Sequence, residues 1–195
     1  MAMKRRDWLA TALGALAVPA LSPDLRSLAR GLHARSSGDV PRVLDARQNE
    51  LVATIAELII PQTDTPGARA AGVPQFIDLA LAEWLDIDDR QRFLAGLTDV
   101  DARSRKRFGR DFTACTPDQQ TEILTLLDAE VSALRAAESR DDKVEASPSQ
   151  RFFRMMKRLT LVGYYTSEVG ATQELHNPII PGRYDGCVLL ERRGN

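Results

Sequence analysis

The chain has 195 residues, 44% of them hydrophobic, and its 26 Lys and Arg nearly balance 27 Asp and Glu, for a formal net charge of −1. That length suits one domain with a tail, and the balance excludes a global basic field of the kind that holds nucleic acid. With two cysteines and two histidines, the sequence has no zinc-ligand spacing and no C-x-x-C-H haem attachment.

The first segment reads as an export address. Lys4-Arg5-Arg6-Asp7-Trp8-Leu9 is followed by an uncharged stretch from Leu9 to Leu21. Such a stretch is too short to cross a membrane as a helix, which takes roughly 20 apolar residues. A charged head before a short Ala- and Leu-rich run is a signal-peptide pattern. Arg5 and Arg6, with Trp8 and Leu9 behind them, resemble the twin-arginine (Tat) signal. A basic amphipathic helix is the alternative, and the lack of any polar face between Leu9 and Leu21 argues against it. We therefore expect a leader over residues 1–30, its cleavage point open, and a linker over 31–44 containing Ser36-Ser37-Gly38. Export places the chain in an oxidising compartment, where Cys115 and Cys187 could pair or remain two separate buried thiols.

The body is predicted to be mainly α. Asp45-Ala46-Arg47-Gln48 has the form of a capping box, and Leu51, Val52, Ile55, Leu58 and Ile59 follow at helical spacing until Pro61. Thr63-Asp64-Thr65-Pro66-Gly67-Ala68 reads as a turn, with Pro66 and Gly67 at the centre of a type II turn. Asp64 reads there as a turn carboxylate rather than a reactive one. Pro74 opens a second helix carrying Phe76, Ile77, Leu79, Leu81 and Trp84. A third runs from about Asp88 to Phe108, its start marked by Asp86, Asp88 and Asp89. Thr116-Pro117-Asp118-Gln119 and Ser147-Pro148-Ser149-Gln150 are two further start signals, separated by a charged loop over 138–147. The last helix carries Phe152, Phe153, Met156, Leu159 and Val162, and the basic row Arg151, Arg154, Lys157 and Arg158 reads as a solvated face, with contact to an acidic partner as the alternative.

From Gly163 onward the expected character is an extended, turn-rich arm to residue 195, rich in Pro and Gly around Pro178, Pro181 and Gly182. All three tyrosines, Tyr164, Tyr165 and Tyr184, fall in this stretch. Tyrosine serves interfaces because it joins a large apolar ring to one polar tip, though the rings could equally lock the arm onto its own domain. Tyr164, Tyr165, Thr166, Leu175, Pro178, Pro181 and Tyr184 are thus candidate partner contacts. No catalytic constellation is visible: His33 and His176 are isolated in linker and tail, and neither a dinucleotide nor a P-loop motif occurs. No catalytic, cofactor-binding or metal-binding residue is assigned.

The order of these features resembles a known family. Leu58-Ile59-Ile60-Pro61-Gln62-Thr63-Asp64-Thr65-Pro66-Gly67-Ala68, then Gly72-Val73-Pro74-Gln75-Phe76-Ile77-Asp78, then Gly163-Tyr164-Tyr165-Thr166-Ser167-Glu168, then Pro181-Gly182-Arg183-Tyr184-Asp185-Gly186-Cys187 are similar to the gluconate 2-dehydrogenase subunit 3 family. These are the small, gamma subunits of membrane-associated, FAD-dependent sugar dehydrogenases. The resemblance implies a non-catalytic subunit that carries the Tat signal for a large flavoprotein of the glucose–methanol–choline (GMC) type and supports its maturation. It implies FAD in that partner, a multihaem cytochrome c as a possible third subunit, the Tat translocase as a transient partner, and a periplasmic location at the inner membrane. A stand-alone exported binding module or enzyme is the competing reading.

Overall fold

The computed structural model describes residues 43–138 and 146–176. The leader with Arg5, Arg6, Trp8 and Leu9, nearly all of the linker, His33, and the arm residues Pro178, Pro181, Tyr184 and Cys187 lie outside them.

Five α-helices occur among the described residues: α1 Ala46–Ile59, α2 Val73–Glu83, α3 Ile87–Phe108, α4 Pro117–Glu138 and α5 Pro148–Thr166, with no strand. A 3-10 turn, Phe112–Ala114, joins α3 to α4, and a π-helical turn, Gly170–Glu174, follows α5. Four of these five helices start where the sequence supplies acceptors for otherwise orphaned N–H groups, whereas α2 starts at Gly72 with Pro74 in its first turn and no side-chain cap. Asp45 and Gln48 form a reciprocal capping box on α1, and Ser147 and Gln150 form another on α5. Asp86 accepts from the Asp89 N–H at the start of α3. Thr116 and Gln119 bond reciprocally ahead of α4, at 3.0 and 3.4 Å. Gly109 ends α3 at φ 72°, in the left-handed region where a side chain is strained.

Helix α5 is the central post, packed by each of the other four helices and by the π turn. Phe152, Phe153, Met156 and Tyr164 on it are fully or almost fully buried, as are Phe76, Ile77, Phe93, Ile55 and Leu127 opposite. The Phe93 and Phe152 rings meet edge to face at 5.1 Å, a geometry that adds about 0.5–1.5 kcal/mol to the area buried. Two glycines set how closely the helices approach. A Cβ on Gly96 of α3 would run into the Phe152 side chain, and one on Gly163 of α5 would lie 2.8 Å from Phe76 Cδ1.

Charged side chains tie the outside together. Asp101, 8% exposed, accepts the Phe112 N–H at 3.0 Å and Arg47 Nη2 at 2.7 Å, so one carboxylate joins α3, the 3-10 turn and the start of α1. Arg47 also reaches Asp111, which Arg105 pairs in turn. Arg103 bridges α3 to α4 and α5 through Glu130 at 2.7 Å and Ser149 at 2.9 Å. Asp78, only 4% exposed, accepts the N–H groups of Val43 and Leu44, both at 2.9 Å. The end of the expected linker is therefore pinned to α2, and Leu44 is buried.

Helix propensity favours Ala over Gly by up to about 1 kcal/mol, whereas overpacking a core contact costs about 1–3 kcal/mol. At Gly96 the Phe152 clash dominates, so Gly96→Ala is expected to lower the urea midpoint of the body without changing the slope of the transition.

Candidate functional site

The loop between α1 and α2 is held by Glu57. Its two carboxylate oxygens accept the N–H groups of Gln62 at 2.8 Å and Arg69 at 2.9 Å. Ala68 N–H donates to Ile60 O at 2.9 Å and Val73 N–H to Ala68 O at 3.1 Å, which closes the loop on itself. The type II turn expected at Pro66-Gly67 does not form. Among the described glycines only Gly72 and Gly109 have positive φ, and the type II geometry requires it at the second central residue. Gly67 serves close packing instead: a Cβ there would crowd the Glu57 carboxylate and sit 2.6 Å from Gln62 N. Asp64 accepts from Thr63 Oγ1 at 2.8 Å, as a turn carboxylate does.

The end of α5 differs more from expectation. The extended arm does not begin at Gly163, because α5 continues to Thr166 and the chain coils again over Gly170–Glu174. Gly163 is no breaker here, since its missing side chain makes room for Phe76. Tyr164 is correspondingly no surface contact: it is fully buried in its own core, its ring edge-on to Tyr165 at 5.4 Å. Ser167 makes the corner. Its backbone is extended, its Oγ donates to Tyr164 O at 2.6 Å and accepts the Gly170 N–H at 3.0 Å, so it ends one helical segment and starts the next. Gly170 lies against Tyr164 O so closely that no Cβ would fit.

These two stretches, distant in sequence, meet. Tyr164 OH donates to Pro66 O at 2.9 Å, and Thr65 Oγ1 donates to Glu174 Oε2 at 2.8 Å. The result is one surface on which Thr63, Asp64, Thr172, Gln173 and Leu175 are exposed, Leu175 at 54%. Tyr165 and Thr166 are half-buried beside it, and the chain leaves it at His176, whose φ is 52°. Sequence reasoning missed Glu174, Ser167, Asp78 and Asp101. Only Asp78, a carboxylate inside the apolar run Phe76-Ile77-Asp78-Leu79, carried a local signal of a buried acceptor.

The remaining candidates are scattered. Cys115 is buried and bonds to no other cysteine among the described residues, and burial pushes its thiol pKa up; its pairing with Cys187 lies outside the described residues. His176 is exposed, its Nδ1 3.2 Å from Glu174 O. Lys157 of the basic row is mostly covered, pairs Asp128 at 2.7 Å and lies over the Phe153 ring, so this residue is part of the packing rather than of a solvated face. Among the described residues no group of three or more His, Cys, Asp or Glu could hold a metal ion. No described helix is long and apolar enough to cross a membrane.

The family model of gluconate 2-dehydrogenase subunit 3 matches residues 46–182. No curated protein and no solved structure matches significantly.

Two outcomes follow from this geometry. Tyr164→Phe keeps the ring and strands the Pro66 carbonyl, so we expect a loss of about 1–2 kcal/mol in denaturant unfolding and faster proteolysis in the 60–72 loop. Beside the loop, a hydrogen bond from Arg69 holds the Glu50 carboxyl below the ordinary value of 4.5. The folded value being the lower one, that pair's stabilisation is in place above the ordinary value and fades as acidification passes the folded one. Glu50→Gln should therefore cost a few tenths of a kcal/mol at neutral pH, both partners being half-exposed. The difference from wild type should vanish in acid.

Proposed function

The chain belongs to the gluconate 2-dehydrogenase subunit 3 family, and we propose on that premise that it is the non-catalytic small subunit of an FAD-dependent, GMC-type sugar or alcohol dehydrogenase complex. Its roles are export and stabilisation of the flavoprotein. Residues 1–30 act as the Tat leader for the pair, residues 45–195 form the body with its arm, and the complex resides in the periplasm at the inner membrane. FAD sits in the large subunit, and a multihaem cytochrome c can complete the electron path.

The observation that supports this reading best is the junction of the 63–68 loop with the turn after α5. Two of the stretches that carry the family resemblance are brought together through Tyr164–Pro66 and Thr65–Glu174. Their polar groups serve to shape a surface, and the one large apolar side chain exposed there is Leu175. A rigid surface of this kind suits contact with a partner chain. The chain passes on from this surface at His176, so residues 177–195 and the surface can meet the partner together. A subunit that binds only the folded flavoprotein stabilises it by mass action, by about 4 kcal/mol at a thousandfold above the dissociation constant.

Two variants separate the roles. Arg5→Lys with Arg6→Lys should leave flavoprotein activity in the cytoplasm. Removal of residues 177–195 should permit export of the small subunit yet sharply reduce the flavoprotein recovered with it. Undiminished periplasmic dehydrogenase activity in both strains would refute the proposal.

A further inference from the structure

Glu57 stands in the last turn of α1, yet its carboxylate serves the loop that follows rather than the helix. The N–H groups it accepts, those of Gln62 and Arg69, flank the segment 63–68, so one side chain ties both ends of that segment together. The Arg69 guanidinium is directed elsewhere, onto the Glu50 carboxylate at 3.0 and 2.9 Å. What Glu57 holds is therefore backbone, and hydrogen bonds to an ionised acceptor are roughly twice as strong as neutral ones. Helix α1 ends without the left-handed glycine that often fixes the path of the chain beyond a helix, since Ile60 has φ −128° and ψ 86°. The path is set instead by Glu57 and by the bond from Ala68 N–H to Ile60 O. Gly67 completes the arrangement. Its φ is not positive, so glycine is needed there for space rather than for backbone conformation. A methyl group at 67 would collide with both Glu57 oxygens and with the Gln62 nitrogen.

We propose that Glu57 and Gly67 act as one positioning pair for the partner-binding surface, fixing where the 63–68 segment lies when the flavoprotein meets it. Thr65 and Pro66, between the two held amides, are the residues that reach Glu174 and Tyr164 of the other stretch. The pair thus sets the loop from the α1 side while Tyr164 sets it from the α5 side. Neither Glu57 nor Gly67 has to touch the partner, because both act through the backbone of the loop. This inference rests on the reading of the junction as the flavoprotein contact. The chemistry is demanding at both positions. Glutamine at 57 keeps the size but offers a single acceptor oxygen and turns an NH2 group toward the second N–H. Alanine at 67 pushes the carboxylate away from both N–H groups at once.

The test measures the affinity of the full-length chain for the purified flavoprotein subunit, together with hydrogen exchange of the free chain. Glu57→Gln and Gly67→Ala are each expected to weaken binding at least tenfold and to speed exchange at the Gln62 and Arg69 amides, while α5 exchanges as in wild type. Joined in one chain, they are expected to weaken binding no further than the worse single change, because both break the same contact. Glu50→Gln removes the neighbouring carboxylate but leaves the two backbone bonds, so it should bind as wild type does. Binding by Glu57→Gln within twofold of wild type, despite faster exchange in its loop, overturns the proposal. So do losses that multiply in the double variant. If α5 loses protection in Glu57→Gln, Gly67→Ala decides on the same criterion. A wild-type chain with no affinity for the flavoprotein refutes the functional reading instead, whereas unchanged exchange at amides 62 and 69 in Glu57→Gln refutes the positioning pair by itself.

Discussion

The fold depends on how closely α5 can be approached. Gly96 and Gly163 remove the side chains that would hold α3 and α2 away from it, and Phe152 and Phe76 occupy the space released. Everything else is arranged around that contact. The other helices supply apolar faces to one post, and the ion pairs of Asp101, Arg103 and Lys157 fasten the elements around it. Buried apolar side chains such as Phe152 each contribute on the order of 1.5–3 kcal/mol, more than a half-exposed pair such as Arg69–Glu50, which contributes at most about 1 kcal/mol. The ion pairs therefore fix orientation more than they supply stability.

The same post explains the surface at its C-terminal end. Because α5 runs on through Thr166, Tyr164 is carried into the core and its hydroxyl reaches Pro66. Ser167 then turns the chain so that Glu174 meets Thr65. A loop and a turn distant in sequence are thereby joined into one surface by two hydrogen bonds, and order before contact lowers the cost of binding a partner.

Helix starts were legible in the sequence because their signals are local. Asp45/Gln48, Thr116/Gln119 and Ser147/Gln150 each place an acceptor three residues from the N–H it serves, and no tertiary context is needed to see it. Apolar spacing likewise identified much of the core, including Phe76, Ile77, Phe152 and Phe153. What was not legible depended on distant neighbours. Gly163 and Gly67 look like turn residues until Phe76 and Glu57 are seen against them, and Tyr164 looks like an exposed aromatic until Pro66 is found within reach. The acceptor role of Asp101 was hidden for the same reason, since the Phe112 N–H it holds lies in another element; at Asp78 only its place in an apolar run hinted at one. The family resemblance rests on residues whose physical purpose emerges only in three dimensions: Gly163, Tyr164 and Ser167 shape the end of α5.

The central claim is that this chain acts through a second, chemically competent subunit. The most direct measurement is affinity isolation of the tagged, full-length chain from the periplasm, followed by an absorption spectrum and mass analysis of what accompanies it. The account predicts a flavin spectrum and a large subunit recovered in fixed proportion. Recovery of the chain alone, turning over a sugar or alcohol without any flavoprotein, would contradict it.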